Sequence, residues 1–179
     1  MKMFRKWLGI LLITLLCTGL FNVFILQTYR VKGHSMDPTL RNQEFLFVSK
    51  LLHTFSKEPN YGDIVIIDSE LGENETFTNQ MRQIGLLTRF TENASKNIYV
   101  KRVIGKAGDY IEIKDGFVYR NHKKIKEPYI KEPMNTGIDS TWLVPRHHIF
   151  VMGDNRNNSK DSREIGPIPL DHLLGKVLI

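Results

Sequence analysis

Cysteine is almost absent: one residue in 179, Cys17, and it sits inside the longest apolar run of the chain. Beyond that run there is none, so no disulfide staples the rest of the molecule and no Cys₂-type zinc site can form. Six histidines are present, but none of their spacings is that of a metal site. Internal repeats and low-complexity linkers are lacking too, which leaves neither a solenoid nor a disordered tether. Acidic residues are outnumbered, 19 against 25 basic, for a formal charge of +6. A nucleic-acid binder is a poor reading of that excess, because no RNP, zinc-finger or helix-turn-helix pattern accompanies it. The short basic run Lys123-Lys124-Ile125-Lys126 reads first as a solvated strand end, and next as an attraction to anionic lipid. Nothing in the pattern calls for a metal or a cofactor, and nothing sets an oligomeric state.

What the sequence does have is one uncharged stretch, Trp7 to Leu26, 20 residues long. At about 1.5 Å rise per residue it would span roughly 30 Å, the thickness of a bilayer's hydrocarbon core. Lys2, Arg5 and Lys6 precede it, which places residues 1–6 in the cytoplasm and residues 27–179 outside. A cleaved leader is the rival reading, since Cys17 and Gly19 make a small-x-small pair. The apolar run continues past them through Leu20, Phe21, Phe24 and Leu26, and a cleavable segment ends its apolar stretch just before the site. A retained single-pass anchor over 7–26 is therefore expected, followed by one domain large enough to hold its own core.

The outer domain reads as β. Phe45–Lys50, Asp63–Asp68, Asn97–Gly105 and Ile149–Gly153 are short β-branched or aromatic runs bounded by turn residues. Tyr110–Lys114 and Phe117–Arg120 flank Asp115-Gly116, a strong hairpin signal. Asn121-His122 is a second turn, into Lys123–Ile125, and Lys176–Ile179 a closing strand. Only Lys50–Ser56 and Gln80–Phe90 have a helical pattern. Residues 71–96 are polar and read as an insertion between two core strands. The expected fold is a mainly β, antiparallel catalytic domain behind one membrane helix.

Three places carry chemistry. Ser35, in Gly33-His34-Ser35-Met36-Asp37, nearly matches the G-x-S-x-G elbow of α/β-hydrolases, but Asp37 replaces the last Gly and the strands do not alternate with helices. Taken alone, Ser35 reads more readily as a helix cap than as a nucleophile. His34 is a poor base for it, because adjacent side chains of an extended segment point apart. Lys101 shares a strand face with Tyr99 and Val103, while Arg102 shares the other with Val100 and Ile104. One of the two cations must face an apolar side. A buried Lys is pushed toward its neutral form and can then deprotonate a Ser; a strand-edge Lys is the plain alternative. The third place is Gly153–Arg163, where two Asp, two Arg and two Ser crowd a turn-rich segment that is either a cross-linked loop or a hydrophilic surface.

Four ordered blocks resemble the type I signal peptidase family in its Gram-positive form: Ser35–Leu40, Tyr61–Val65, Lys101–Asp109 and Gly153–Arg163, behind a single anchor. The resemblance covers most of the outer domain. It implies a serine endopeptidase that removes signal peptides from secreted precursors after small residues of the Ala-x-Ala type. It implies Ser35 as nucleophile, Lys101 as general base and Ser159 as a hydrogen-bond partner of that Lys. Asp154 would pair with Arg102, and Asp161 with Arg163. Met36, Val31 and Val100 would line shallow substrate pockets. Some members carry a Ser two residues before the nucleophile as an oxyanion donor; here Gly33 stands there, so a second donor must come from its backbone or from elsewhere. The partners implied are signal peptides of exported precursors and membrane lipid. Self-cleaving repressors share the Ser-Lys module but have a DNA-binding domain and no anchor. Eukaryote-like signal peptidases carry His where Lys101 stands. A catalytically silent anchored scaffold on the same β fold is the other class, and it would be expected to lose Ser35 or Lys101.

Overall fold

The computed structural model describes residues 2–24, 26–49, 58–68, 98–135 and 139–178. The helical patterns at Lys50–Ser56 and Gln80–Phe90, and the 71–96 insertion, lie outside the described residues.

Helix α1 runs from Lys2 to Phe24. Its described apolar side chains, among them Leu8, Ile10, Leu11, Leu12, Ile13, Leu15 and Leu16, are exposed at consecutive positions, so no face of it packs on the protein. Among the described residues, no helix is long and apolar enough to cross a membrane. The helix ends at Phe24, and Leu26, which the sequence joins to the apolar run, opens strand β1 (Leu26–Arg30).

The remaining strands are β2 (Phe45–Ser49), β3 (Ile64–Asp68), β4 (Ile98–Lys106), β5 (Tyr110–Lys114), β6 (Phe117–Arg120), β7 (Lys123–Lys124), β8 (Ser140–Leu143), β9 (His148–Met152), β10 (Ile168–Pro169) and β11 (Leu173–Leu178). A one-turn helix, α2 (Ser162–Ile165), precedes β10. Seven strands form a large sheet in the order β1-β2-β11-β3-β4-β9-β10, and four form a small one, β7-β6-β5-β8. Every pairing is antiparallel. The late strand β11 therefore lies between two early ones, β2 and β3.

Strand β3 shows why the large sheet is stable. Its Ile64 and Ile66 join one apolar cluster with Val31, Met36, Leu40 and Val48, while Val65 and Ile67 join a second with Val103, Val151 and Leu173. Both faces are buried, so β3 has no polar alternation. Each fully buried aliphatic side chain there contributes about 1.5–3 kcal/mol. A third cluster, around Phe150, Ile104, Ile111 and Met152, packs the two sheets together. Gly105 sits at that junction: a Cβ on it would lie 2.8 Å from Ile111 Cδ1 and 3.2 Å from Phe150 Cβ.

Both expected hairpin turns form. Asp115 and Gly116 have φ of 51° and 76°, and Asn121 and His122 have 52° and 63°, the positive values that tight two-residue turns need. Strands β1, β8 and β10 and helix α2 go beyond the sequence reading. Strand β1 directly continues the apolar run that hides it, and the other three are each four residues or shorter. Along β2 the burial alternates, leaving Phe45 and Phe47 exposed. Leu178 is opposite Phe47 and is also exposed, so an apolar patch marks this end of the sheet, next to β1.

Candidate active site

Ser35 lies in the connection between β1 and β2. That loop is closed at its base by Val31 N–H donating to Glu44 O (2.8 Å) and Gln43 N–H donating to Val31 O (2.9 Å). No helix follows Ser35; residues 35–39 are turns, so the helix-cap role does not apply. Met36 and Leu40 anchor the turn in the first apolar cluster. The backbone is then held from the far end of the chain: Asn155 donates its N–H to Ser35 O (3.0 Å) and its Nδ2 to His34 O (2.9 Å). His34 itself is exposed and pairs with Asp37 at 3.2 Å.

Lys101 sits on β4, opposite Val65 of β3, on the face it shares with Tyr99 and Val103. It is the cation that faces the apolar side, with 2% of its surface exposed. Its Nζ donates to Ser35 Oγ at 2.8 Å and lies 5.2 Å from the Tyr99 ring centroid. Burial pushes its pKa down from 10.5 to about 8; Asp161 and Asp154 pull upward and Arg163 downward, none of them enough to reverse it. An amine so placed is neutral in a useful fraction near neutral pH, and a hydroxyl is within its reach.

Arg102 points the other way. Its Nε and Nη2 hold Asp154 at 2.8 and 2.6 Å, its Nη1 donates to Gly62 O at 2.8 Å, and its guanidinium covers the Tyr129 ring at 4.0 Å. Thr39 Oγ1 donates to the same Asp154 carboxylate, tying the Ser35 turn to this ion pair. Asp161 caps α2 and accepts from Gly153 N (2.9 Å), Ser159 Oγ (2.7 Å) and Arg163 Nε (2.8 Å). Arg156 is buried against Glu127 and donates its Nε to Gly153 O at 2.9 Å. No buried side-chain polar atom among the described residues is left without a partner.

The structure thus gathers Ser35, Lys101, Arg102, Asp154, Asp161, Arg163 and Ser159 around one turn. Val31, Met36 and Val100 also meet, in the first apolar cluster. Two expectations need amendment. Ser159 does not hydrogen-bond Lys101; its hydroxyl donates to Asp161 instead. The Gly33 N–H is not free for an oxyanion, because it donates to Asn42 Oδ1 at 3.0 Å. The Ser35 N–H has no partner among the described residues. Gly33 takes φ of +101°, which favours glycine there over any side chain. Sequence reasoning missed Asn155, Thr39 and the Glu127–Arg156 pair. Asn155 and Thr39 stand inside the quoted blocks, but only proximity reveals what they hold.

A buried amine of lowered pKa beside a serine hydroxyl on a β scaffold is the arrangement of the Ser-Lys class of serine peptidase. The sequence pattern described as "Signal peptidase, peptidase S26" matches residues 4–179. Signal peptidase I T of Bacillus subtilis (strain 168) is 37% identical over 182 residues, covering 96% of this chain and 82% of that protein. Signal peptidase I of Bacillus licheniformis is 37% identical over 168 residues, 88% of this chain and 77% of that one. A solved signal peptidase I from Enterococcus faecalis V583 is 26% identical, covering 69% of this chain and 98% of that one, with a TM-score of 0.47. The chain belongs to the signal peptidase family, peptidase S26.

Proposed function

We propose that the protein is a membrane-anchored endopeptidase that removes signal peptides from exported precursors, cutting after small residues with Ser35 as nucleophile and Lys101 as general base. The observation that carries this reading is the 2.8 Å contact between Lys101 Nζ and Ser35 Oγ, with the amine buried. Neutral Lys101 takes the Ser35 proton as Oγ attacks the scissile carbonyl. The resulting ammonium returns a proton to the leaving amine, and an acyl-enzyme remains. Lys101 then takes a proton from water, the hydroxide attacks the ester, and Ser35 is regenerated. The Ser35 N–H, without a partner among the described residues, serves as an oxyanion donor. Arg102, paired to Asp154, keeps a second positive charge neutralised beside the base.

Substrate recognition follows from β4. Its pairing to β9 begins only at Arg102, while its pairing to β3 extends back to Ile98. Val103 exchanges its backbone hydrogen bonds with Gly62 and Asp63, on the β3 side. By alternation, Val100 presents its backbone to the side that β9 has left, where an extended precursor strand can add itself. Val31 and Met36 are almost wholly buried beside it and Val100 partly so. A wall so filled leaves shallow pockets, which suit small side chains before the cut.

The anchor is 7–26, with residues 1–6 in the cytoplasm and the domain outside. The uncharged run, its basic flank and the exposure of α1 on all sides support it. The apolar patch of Phe45, Phe47 and Leu178 lies on β2 and β11, beside the strand that α1 leads into, and would rest on lipid. The experiment is processing of an Ala-x-Ala precursor by Ser35→Ala and Lys101→Ala variants that keep the wild-type melting curve. Both should be inactive, and substantial cleavage by either sinks the assignment.

A further inference from the structure

A cleft of about 600 Å³ opens between the large and small sheets, on the far side of Arg102 from Ser35. Arg120, Lys123, Lys124 and Lys126 line it, and no carboxylate does. The neighbouring acids are already engaged: Asp109 accepts from Tyr61 Oη, Lys106 N and Asn121 Nδ2, and Glu127 is paired with Arg156. Two of the four cations are held in place. Arg120 lies flat on Tyr61 at 3.7 Å and donates Nη1 to Ile104 O at 2.8 Å, while Lys124 Nζ sits over the Phe117 ring. Four like charges around one cleft repel one another, and an anion bound there relieves that cost.

The order of positions along β4 says where this cleft stands in the reaction. Val100 borders the proposed pockets for residues before the cut, Lys101 is the base, and Val103 and Ile104 are in the cleft wall. The chain between them is short. Asp37, two residues past Ser35, lies 3.9 Å from Lys131 Nζ, and Lys131 is two residues past Tyr129, another wall of the cleft. That bounds the separation from Ser35 at roughly 25 Å, the reach of about seven extended residues. Lipid is the less suitable occupant. Strand β1, where α1 enters, is four strands from β4, roughly 19 Å across the sheet at about 4.8 Å per strand.

We infer that this cleft binds acidic side chains of the precursor downstream of the cut, about four to eight residues into the mature protein. The inference rests on the proposed signal-peptide cleavage for its orientation, but the binding chemistry is independent of it. Full-length enzyme would be given two precursors identical through the cleavage site, with four Asp and Glu residues at those positions or the matching Asn and Gln. The acidic precursor should show a kcat/KM about tenfold higher at low salt, a gap that closes at high ionic strength as the ion pairs are screened. In a Lys123→Glu/Lys124→Glu/Lys126→Glu variant the ratio should fall to one or below. Equal rates in wild-type enzyme, or an acid preference that survives the triple change, overturns the inference. If neither precursor is cut, the functional reading fails, and the cleft is then decided by anisotropy of a labelled acidic peptide against its amide counterpart. Tighter binding of the acidic peptide, lost in the triple variant, keeps the cleft as an acidic-peptide site. Equal binding removes it. Displacement of that peptide by phosphatidylglycerol vesicles but not by phosphatidylcholine vesicles assigns the cleft to lipid and overturns the peptide.

Discussion

Gly153 is where one added methyl group should do most harm. A Cβ there would lie 2.5 Å from Ser35 O, 2.6 Å from Ser159 Cβ and 2.3 Å from Ser159 Oγ, where ordinary contact begins at 3.4 Å. The Ser159 hydroxyl cannot swing aside freely, because it is bonded to Asp161. The Ser35 carbonyl cannot retreat freely either, since it is held by the Asn155 N–H two residues beyond Gly153. To relieve the Ser35 contact alone, the nucleophile's peptide must move by about 0.9 Å, the difference between 3.4 and 2.5 Å. Overpacking of this kind costs about 1–3 kcal/mol, which an otherwise intact domain survives. A displacement of about 1 Å at the reacting atoms costs on the order of 10²-fold in rate. Gly153→Ala should therefore retain a cooperative melt, lowered by several degrees, and lose about 10²-fold in kcat/KM on an Ala-x-Ala precursor. Gly153→Ala with Ser159→Gly removes both Ser159 clashes but leaves that with Ser35 O, so it should stay slow. Wild-type kcat/KM in the single variant, or recovery in the double, refutes the argument that the Ser35 carbonyl is the sensitive contact.

The acid limb of kcat/KM should titrate near pH 8, the depressed value of Lys101, and a limb near the free-lysine value would argue against a buried neutral base. Asp161 raises the Lys101 pKa, so Asp161→Asn should move the limb to lower pH; a shift upward would contradict that sign. Because the folded pKa lies below the unfolded one, protonated Lys101 costs stability below pH 8 and the cost vanishes as pH rises toward 10.5. Lys101→Met should thus stabilise at pH 7, by up to about 3 kcal/mol, and gain less at pH 10.5, which denaturant titrations at the two pH values will measure. Glu127→Ala strands Arg156, whose side chain is 1% exposed, and should destabilise by about 3–5 kcal/mol in urea unfolding.

The sheet was legible where two signals agreed. Asp115-Gly116 and Asn121-His122 carried residues that tolerate positive φ, each beside an alternating run, and both turns stand where expected. Strand β3 was legible for a different reason: a four-residue apolar run between turn residues is what a strand buried on both faces requires. A strand as short as β8 had no such signal, because its place comes from pairing with β5. At the site, alternation along β4 stated that one of Lys101 and Arg102 must face the apolar side, but not which. Val103 and Tyr99 on that face, against Val65, decide for Lys101. The family resemblance named the partners, and geometry revised one of them and decided between the alternatives for Gly33. Ser159 donates to Asp161, and Asn42 holds the Gly33 N–H, contacts that no spacing encodes.

The place of β11 bears on when the domain can assemble. Residues 173–178 fill the gap between β2 and β3, so the large sheet cannot close until that segment has joined it. Asn155, which clamps the Ser35 turn, and Asp161 are also late along the chain. A sheet that takes a late strand between two early ones closes only when nearly all of the domain's chain is available to it. The clamp on the Ser35 turn is then completed with the fold and not before it.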